Sequence, residues 1–177
     1  MRRFVCIILT LLMLLSGCST ALNNIKEPVE FYYLRDCNKP DDYKVYFSEG
    51  PFVSEIREAS GHRNDLYYLL SIYLRGPLDS GLISPFPAGC KVVKAHQDGR
   101  KLAVSLNTAF AELEDMDLTV ACVCLAKTCM ELANVDSVHI EVRDSNNKII
   151  FTNTITSGSL LLEEISSPPT EPTAETQ

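Results

Sequence analysis

Apolar and β-branched residues mark the first strands of the chain. Residues 29–34 (VEFYYL) combine β-branched and aromatic side chains and predict a strand. Residues 43–47 (YKVYF) predict a second short strand, and residues 52–57 either extend it or form a third. The intervening residues 36–42 contain Asp, Asn and Pro and predict a loop. The N-terminal part of the fold is therefore expected to be rich in β-structure.

A helical period follows these strands. Apolar residues recur at positions i, i+3, i+4, i+7 and i+8, the pattern of one buried helix face. These residues are Leu66, Leu69, Leu70, Tyr73 and Leu74. Either Asn64 or Asp65 is expected to cap the helix, because a short side-chain oxygen reaches the free amides of the first turn. Gly76 and Pro77 are expected to end it, since Gly adopts the left-handed conformation and Pro does not continue a helix.

Turn signals predict two further pairs of strands. Residues 90–96 and 101–106 flank an Asp-Gly dipeptide, which is typical of a β-hairpin. Residues 137–143 and 149–153 flank a polar turn of sequence SNNK. The strand at residues 137–143 alternates strictly between apolar and polar positions, so one face of the sheet is expected to be wet.

A second helix is predicted between these two pairs of strands. Residues 118–132 place apolar side chains at alternating steps of four and three, which predicts a narrow buried seam. The seam consists of Leu118, Cys122, Leu125, Cys129 and Leu132. Asp117 is expected to cap this helix and to bring a favourable charge to its positive end.

The order of predicted elements is β-β-α-β-β-α-β-β, which indicates the α+β class. With one sheet face wet, both helices must cover the other face. The expected architecture is therefore a two-layer sandwich, with a mixed or antiparallel sheet and two helices on one face.

The first 17 residues follow a different pattern. Two arginines precede a run of 12 almost wholly apolar residues at positions 4–15, and the sequence LSGC follows at residues 15–18. As a helix the apolar run would span about 18 Å, well short of the roughly 30 Å hydrocarbon core of a bilayer. It therefore predicts a cleavable signal peptide. The LSGC sequence resembles the bacterial lipobox, so Cys18 is expected to carry a diacylglyceryl group that anchors the mature chain to a membrane.

The composition of the rest of the chain indicates three segments, and its charge excludes one class of partner. Residues 18–28 are expected to be a polar linker, residues 29–156 a single domain, and residues 157–177 a disordered tail that ends in Ser, Thr, Pro and Glu. The net charge of the chain is −7, and loss of Arg2 and Arg3 with the leader would make it −9. An acidic surface does not attract phosphate, which argues against nucleic acid as a partner and leaves the lipid as the membrane anchor.

Three parts of the sequence resemble the GerMN-domain family. They are residues 74–77 (LRGP) with 82–89 (LISPFPAG), the hairpin followed by Asn107 and Phe110, and residues 125–128 (LAKT) with 134–138 (NVDSV). The resemblance covers residues 29–153. The sequence departs from the family at Cys90, where Thr is usual, and in the last turn, which has Asn where Gly is common.

The resemblance implies a fold and a cellular setting. Similar domains occur in envelope lipoproteins of spore-forming bacteria, and some resemble the ring-building modules of secretion-type channels. No catalytic residues are known for such domains, so the resemblance implies no catalytic residue and no cofactor here. The surfaces expected to meet a partner are a loop formed by Gly76, Pro77, Ser84, Pro87 and Gly89, and a strand face formed by His139, Glu141 and Arg143.

Five cysteines would remain beside Cys18 in the mature chain. Cys122 and Cys129 would lie about 10.5 Å apart along one helix, too far for a disulfide, and are expected to be core residues. A disulfide between Cys37 and Cys90 stays an open alternative for an exported protein. The sequence contains neither a CxxC nor an HExxH spacing, so it predicts no metal site.

Together these patterns predict an extracytoplasmic lipoprotein anchored to the cell membrane, with a domain that is not an enzyme. The expected partners are envelope proteins, including copies of the chain itself or a sporulation complex, with a role in sporulation or germination. The alternative is a lipoprotein that binds a solute or a cell-wall fragment. A deep apolar pocket near the tyrosines would favour that alternative.

Overall fold

The structure, a computed structural model, describes residues 25–37 and 50–160. The predicted leader with Cys18, the predicted strand at residues 43–47 and the tail beyond residue 160 lie outside the described residues. Within the described ranges the elements follow the order β-β-α-β-β-β-α-β-β, with a short 3-10 helix before the second α-helix. The predicted α+β class is confirmed.

The first sheet has three antiparallel strands in the order β2-β1-β3. They are β1 (Pro28–Arg35), β2 (Phe52–Glu58) and the two-residue β3 (Leu82–Ile83). The inward side chains of β1, Val29, Phe31 and Tyr33, are fully buried. The strand predicted at residues 29–34 is confirmed, and residues 52–57 belong to a strand that pairs with it along its length.

Helix α1 (Leu66–Tyr73) follows the first sheet and has the predicted buried face. Of the two candidate caps the structure uses Asp65, whose Oδ1 accepts a hydrogen bond of 2.9 Å from the amide of Tyr68. The chain leaves the helix through Gly76, whose φ of +98° lies in the region that favours glycine.

The second sheet has four strands in the order β4-β5-β6-β7. These are β4 (Val92–Asp98), β5 (Lys101–Leu106), β6 (Ser137–Arg143) and β7 (Ile149–Thr156). Strands β5 and β6 are parallel and the other neighbours are antiparallel, so the sheet is mixed. The hairpin forms as predicted, although its first strand lies at Val92–Asp98 instead of residues 90–96. The bounds of β6 are as predicted, whereas β7 continues past residue 153 because its pairing with β6 extends to Thr156.

Helix α2 (Asp115–Ala133) connects the two parallel strands. It begins before the predicted residue 118, and Asp117 lies within its first turn instead of capping it. The N-cap position is occupied by Glu114, whose side chain makes no capping hydrogen bond. Asp117 still places its charge near the positive end of the helix.

Helix α2 lies between the two sheets. It contacts β1 of the first sheet and both β6 and β7 of the second. Six consecutive residues are buried, so its apolar surface is wider than the predicted seam: Ala121, Cys122, Val123, Cys124, Leu125 and Ala126. The expectation of one sheet with two helices on one face is therefore wrong. The physical reason is that a helix apolar on most sides must be covered on most sides.

Aromatic rings join the two halves of the core. Tyr73 of α1 lies 5.3 Å from Phe31 of the first sheet and 5.1 Å from Phe86, measured between ring centroids. Phe110 lies 5.7 Å from Phe151 of the second sheet. These contacts make the described part of the chain one packed unit.

The end of the described chain differs from the predicted tail. Residues 157–160 form a helical turn, and Leu160 packs with the buried core. The expectation of a disordered tail that starts at residue 157 is therefore wrong for these four residues, because an apolar side chain at position 160 gains from burial.

Candidate functional site

The residues of the predicted interaction loop fall into two groups. Gly76 and Pro77 follow α1, and the carbonyl oxygen of Gly76 accepts a hydrogen bond from Arg57 of β2, whereas Ser84, Pro87 and Gly89 line a cavity beside α1. The two groups adjoin at Gly76 and Ser84, because a Cβ atom on Gly76 would lie 3.7 Å from that of Ser84, but only the second group lines the cavity.

An ion pair on β2 holds the first group in place. Arg57 and Glu55 form this pair, and each side chain is only 10% exposed. The Nη2 atom of Arg57 donates a hydrogen bond of 2.7 Å to the carbonyl oxygen of Gly76. Glu55 accepts hydrogen bonds of 2.8 and 2.7 Å from the amides of Leu78 and Asp79. Gly76 and Pro77 therefore belong to a scaffold that fixes the exit from α1.

The same arginine contacts two aromatic residues of β1. Its guanidinium carbon lies 5.2 Å from the centroid of Phe31 and 5.6 Å from that of Tyr33. The Tyr33 hydroxyl accepts a hydrogen bond of 3.1 Å from Arg57 and donates one of 2.8 Å to the carbonyl oxygen of Tyr73. Burial raises the pKa of Tyr33 well above its usual range, so this hydroxyl stays protonated and keeps its donor role.

The second group lines a cavity of about 640 Å³ between α1 and residues 84–91. This volume lies within the range of small-molecule pockets. Helix α1 contributes Tyr67 and Ser71, and the loop contributes Ser84, Pro87 and Gly89. The remaining lining residues are Leu74, Arg75, Phe86, Ala88, Cys90, Lys91 and Val92. The structure thus brings together three of the five predicted loop residues with a helix face that the sequence did not single out.

Two anchors fix the loop side of this cavity. Phe86 is buried and packs edge-on against Tyr73. Asn107 accepts a hydrogen bond of 2.9 Å from the amide of Lys91 and donates one of 2.9 Å to the carbonyl oxygen of Gly89. The backbone of residues 86–91 is therefore held from both ends. Asn107 had a signal in the sequence, because it belongs to the segment that resembles the GerMN family.

Charge around the cavity is of one sign. Arg75 and Lys91 lie on its rim, and none of the described residues that line it is acidic. Neither cation forms an ion pair within the part of the chain that the structure describes. Sequence reasoning missed both residues because they are 16 positions apart and only the fold brings them together.

The predicted polar face of β6 is present and faces solvent. Val138, Ile140 and Val142 are fully buried, so the intervening residues His139, Glu141 and Arg143 lie on the outer face of the second sheet. Pairing aligns His139 with Ala103 of β5 and with Thr154 of β7. The same alignment puts Lys94, His96, Asp98, Lys101, Ser105, Ser137, Thr152 and Thr156 on this face, which we call the outer face.

Hydrogen bonds order the side chains of the outer face. Arg143 donates two bonds of 3.1 Å to the carboxylate of Glu141, which also accepts one of 2.8 Å from Ser105. These donors lower the pKa of Glu141 from its usual value, with Arg143 as the main cause. His139 Nδ1 lies 2.9 Å from the hydroxyl of Thr154. The three predicted face residues are therefore brought together.

The five cysteines that the structure describes form no disulfide. Cys37, Cys90, Cys122, Cys124 and Cys129 are all free. The alternative of a Cys37–Cys90 disulfide is therefore wrong: Cys90 is buried in the core cluster, whereas the Cys37 thiol points to the carbonyl oxygen of Arg35. Burial raises the pKa of Cys90 and of Cys124 to about 12. Such thiols behave as small core residues.

The described residues contain neither a metal-binding cluster nor a membrane-spanning helix. They contain no group of three or more His, Cys, Asp or Glu residues arranged to hold a metal ion. In the same ranges, no helix combines the length and the apolar composition that crossing a membrane requires.

No protein-family model matches the chain, and no curated protein gives a significant match. Among solved structures, it is similar to the tandem GerMN domains of the sporulation protein GerM from Bacillus subtilis, with a TM-score of 0.47 and 19% identity. That match covers 71% of this chain and 42% of the other, so the chain spans less than half of the tandem structure.

Two other solved structures give similar scores. The first GerMN domain of GerM from Bacillus subtilis matches with a TM-score of 0.44 and 15% identity, over 65% of this chain and 81% of that one. A chain from Clostridium perfringens that is described as a lipoprotein matches with a TM-score of 0.45 and 12% identity, over 74% and 87%. At these scores the likeness assigns no function and no residue role. The chain is an α+β protein whose neighbours among solved structures include GerMN domains, the family that its motifs resemble.

Proposed function

We propose that this chain is an envelope lipoprotein, tethered through Cys18, whose domain binds another envelope protein through the outer face and catalyses no reaction. The observation that carries the proposal is the outer face itself. One side of the second sheet is buried against α2, while the other presents polar side chains, most of which are exposed. The motif resemblance to GerMN domains connects the proposal to sporulation or germination.

Charge indicates the kind of partner. The outer face carries Lys94, Lys101 and Arg143 against Asp98 and Glu141, so its cations outnumber its carboxylates. The whole chain has a net charge of −7. Complementary potentials guide association and exclude wrong partners. The proposed partner is therefore a folded envelope protein with an acidic, hydrogen-bonding surface.

Site-specific cross-linking in cells tests this proposal. A photoreactive residue at Ala103, which lies between His96 and His139 on neighbouring strands, is expected to give one discrete cross-linked product. The charge-reversal variant Lys94→Glu/Lys101→Glu is expected to abolish that product. The matched control is a photoreactive residue at Leu78, which is 81% exposed and does not belong to the second sheet. Equal products at both positions, or a product that survives charge reversal, would contradict the proposal.

A specific observation favours a second function, the capture of a solute or wall fragment. The cavity between α1 and residues 84–91 has the volume of a ligand pocket and lies beside Tyr67. The buried tyrosines do not line it, because Tyr33 and Tyr73 are hydrogen-bonded within the core. The cavity is thus less apolar than the pocket that the sequence led us to look for.

A further inference from the structure

We propose that the cavity between α1 and residues 84–91 binds a sugar-like ring that carries one carboxylate or phosphate group. This inference rests on the second candidate function and does not depend on partner binding at the outer face. Three features of the cavity support it: the sign of its charge, the chemistry of its walls, and the fixed position of its loop.

Charge selects an anion. Arg75 and Lys91 are exposed cations on the rim, without an ion pair in the described ranges and without an acidic residue in the lining. In a chain with a net charge of −7, an isolated pair of cations makes a local positive potential. Carboxylates and phosphates are the groups that bind such cations through charge-assisted hydrogen bonds.

The walls suit a ring with hydroxyl groups. Tyr67 is 53% exposed, so its ring offers a flat surface against which the C–H face of a sugar can pack. Ser71 donates its hydroxyl proton to the carbonyl oxygen of Tyr67 at 2.7 Å, which leaves its oxygen as an acceptor. Ser84 accepts from the amide of Phe86 at 3.3 Å, which leaves its hydroxyl proton to donate. Donor and acceptor therefore stand on opposite walls.

The loop wall is fixed before a ligand arrives. Asn107 holds the backbone of Gly89 and Lys91 through two hydrogen bonds of 2.9 Å, and Phe86 is anchored in the core. A site whose walls are already ordered loses less entropy when it binds. Asn107 is thus a positioning residue for this site.

Isothermal titration calorimetry on the full chain, purified in detergent, tests the proposal with three probes. N-acetylmuramic acid supplies a ring with a carboxylate, N-acetylglucosamine 6-phosphate a ring with a phosphate, and N-acetylglucosamine the neutral ring. We expect at least one anionic probe to bind about tenfold more tightly than the neutral ring. The comparison of the two anionic probes shows which group the site takes. If neither anionic probe binds, or if the neutral ring binds as tightly, the proposal is wrong.

Variants then place the binding in the cavity. Arg75→Gln/Lys91→Gln is expected to reduce anion affinity to that of the neutral ring, and Tyr67→Ala to weaken all binding. The matched control is Lys94→Gln/Lys101→Gln, which removes two cations from the outer face and should leave affinity unchanged. All these positions are exposed, and equal melting temperatures will confirm that the variants fold. Anion binding that survives the Arg75/Lys91 change overturns the proposal.

The two proposed functions can be tested separately, because they depend on different residues. The Arg75/Lys91 variant is expected to retain the cross-link at Ala103, and the Lys94→Glu/Lys101→Glu variant is expected to retain sugar binding. Loss of both activities in either variant would mean that the cavity is not a separate site.

Discussion

The backbone amide of Tyr32 donates a hydrogen bond of 2.9 Å to the hydroxyl oxygen of Thr128, which lies 96 residues later in the chain. Thr128 is fully buried on α2. Strand β1 meets β3 only at Leu34 and Arg35, so farther along this edge the strand has no paired neighbour among the described residues. The hydroxyl of a helix residue therefore takes the place of a strand partner and joins the first sheet to α2.

Replacement of Thr128 by Val should destabilise the protein. The change keeps the shape of the side chain but leaves the partly buried amide of Tyr32 without this acceptor, at a cost of about 1 kcal/mol. Urea unfolding followed by circular dichroism measures the loss. Thr128→Ser, which keeps the hydroxyl, is the control and should lose less. Equal stability of the Val variant and the parent chain would show that this bond contributes nothing.

The variant Arg57→Met should be more strongly destabilised. It leaves the carboxylate of Glu55 without its cation at a position that is 10% exposed, and removal of one partner of a buried pair costs about 3 kcal/mol. It also removes the donor that holds the carbonyl oxygen of Gly76. The free energy of unfolding, again from urea titration, gives the size of the effect.

Two control variants separate charge from packing at this pair. Glu55→Gln/Arg57→Met removes both charges and should recover part of the lost stability. Arg143→Ala breaks an ion pair whose arginine is 39% exposed, and should cost no more than about 1 kcal/mol. If Arg57→Met loses no more stability than Arg143→Ala, the scaffold role of Arg57 is contradicted.

The variant Asn107→Ala should loosen the loop that lines the cavity. It removes the acceptor of the Lys91 amide and the donor to Gly89. Hydrogen exchange followed by NMR should show faster exchange of the Lys91 amide, by about tenfold for a loss near 1.4 kcal/mol. Exchange at the Val104 amide in the neighbouring strand serves as the internal reference and should change little. Unchanged exchange at Lys91 would exclude this positioning role.

Stability should fall as the pH rises from about 9 to 12. Burial raises the pKa of Cys90 and Cys124 from 9.0 to about 12 in the folded chain, so the folded state holds protons that the unfolded state releases. This contribution is complete below pH 9 and is lost as the pH approaches 12. Urea titrations at pH 8, 9, 10 and 11 should show the decline, and the variant Cys90→Ala should show a shallower one. A free energy of unfolding that does not change with pH would contradict the burial of these thiols.

Alternation in single strands could be predicted from the sequence. In β6 the residues Val138, Ile140 and Val142 are buried and their neighbours are not, because a period of two is set by backbone geometry alone. Strand β2 keeps this period but has charged residues on its inner side. Glu55 and Arg57 share the inner side, while Ile56 is 40% exposed. Only the contacts that these charges make with the α1 exit explain that inversion.

Long-range arrangement was harder to predict. The seam of α2 was identified, but the burial of its other sides was not, because the first sheet that covers it forms from distant segments. The outer face was predicted from the alternation within the single strand β6. The cavity was not predicted, because its walls come from segments that only the fold brings together. Its cations, Arg75 and Lys91, come from the segment that follows α1 and from the residue before β4.

Mass spectrometry of the protein from its native membrane tests whether a lipid on Cys18 holds this domain outside the cell. We expect a mature chain that starts at Cys18, carries a diacylglyceryl thioether on that sulfur, and lacks residues 1–17. The variant Cys18→Ala should accumulate without lipid. A native chain that keeps its leader, or one that starts at Cys18 with an unmodified thiol, would contradict the lipid anchor and the envelope role proposed with it.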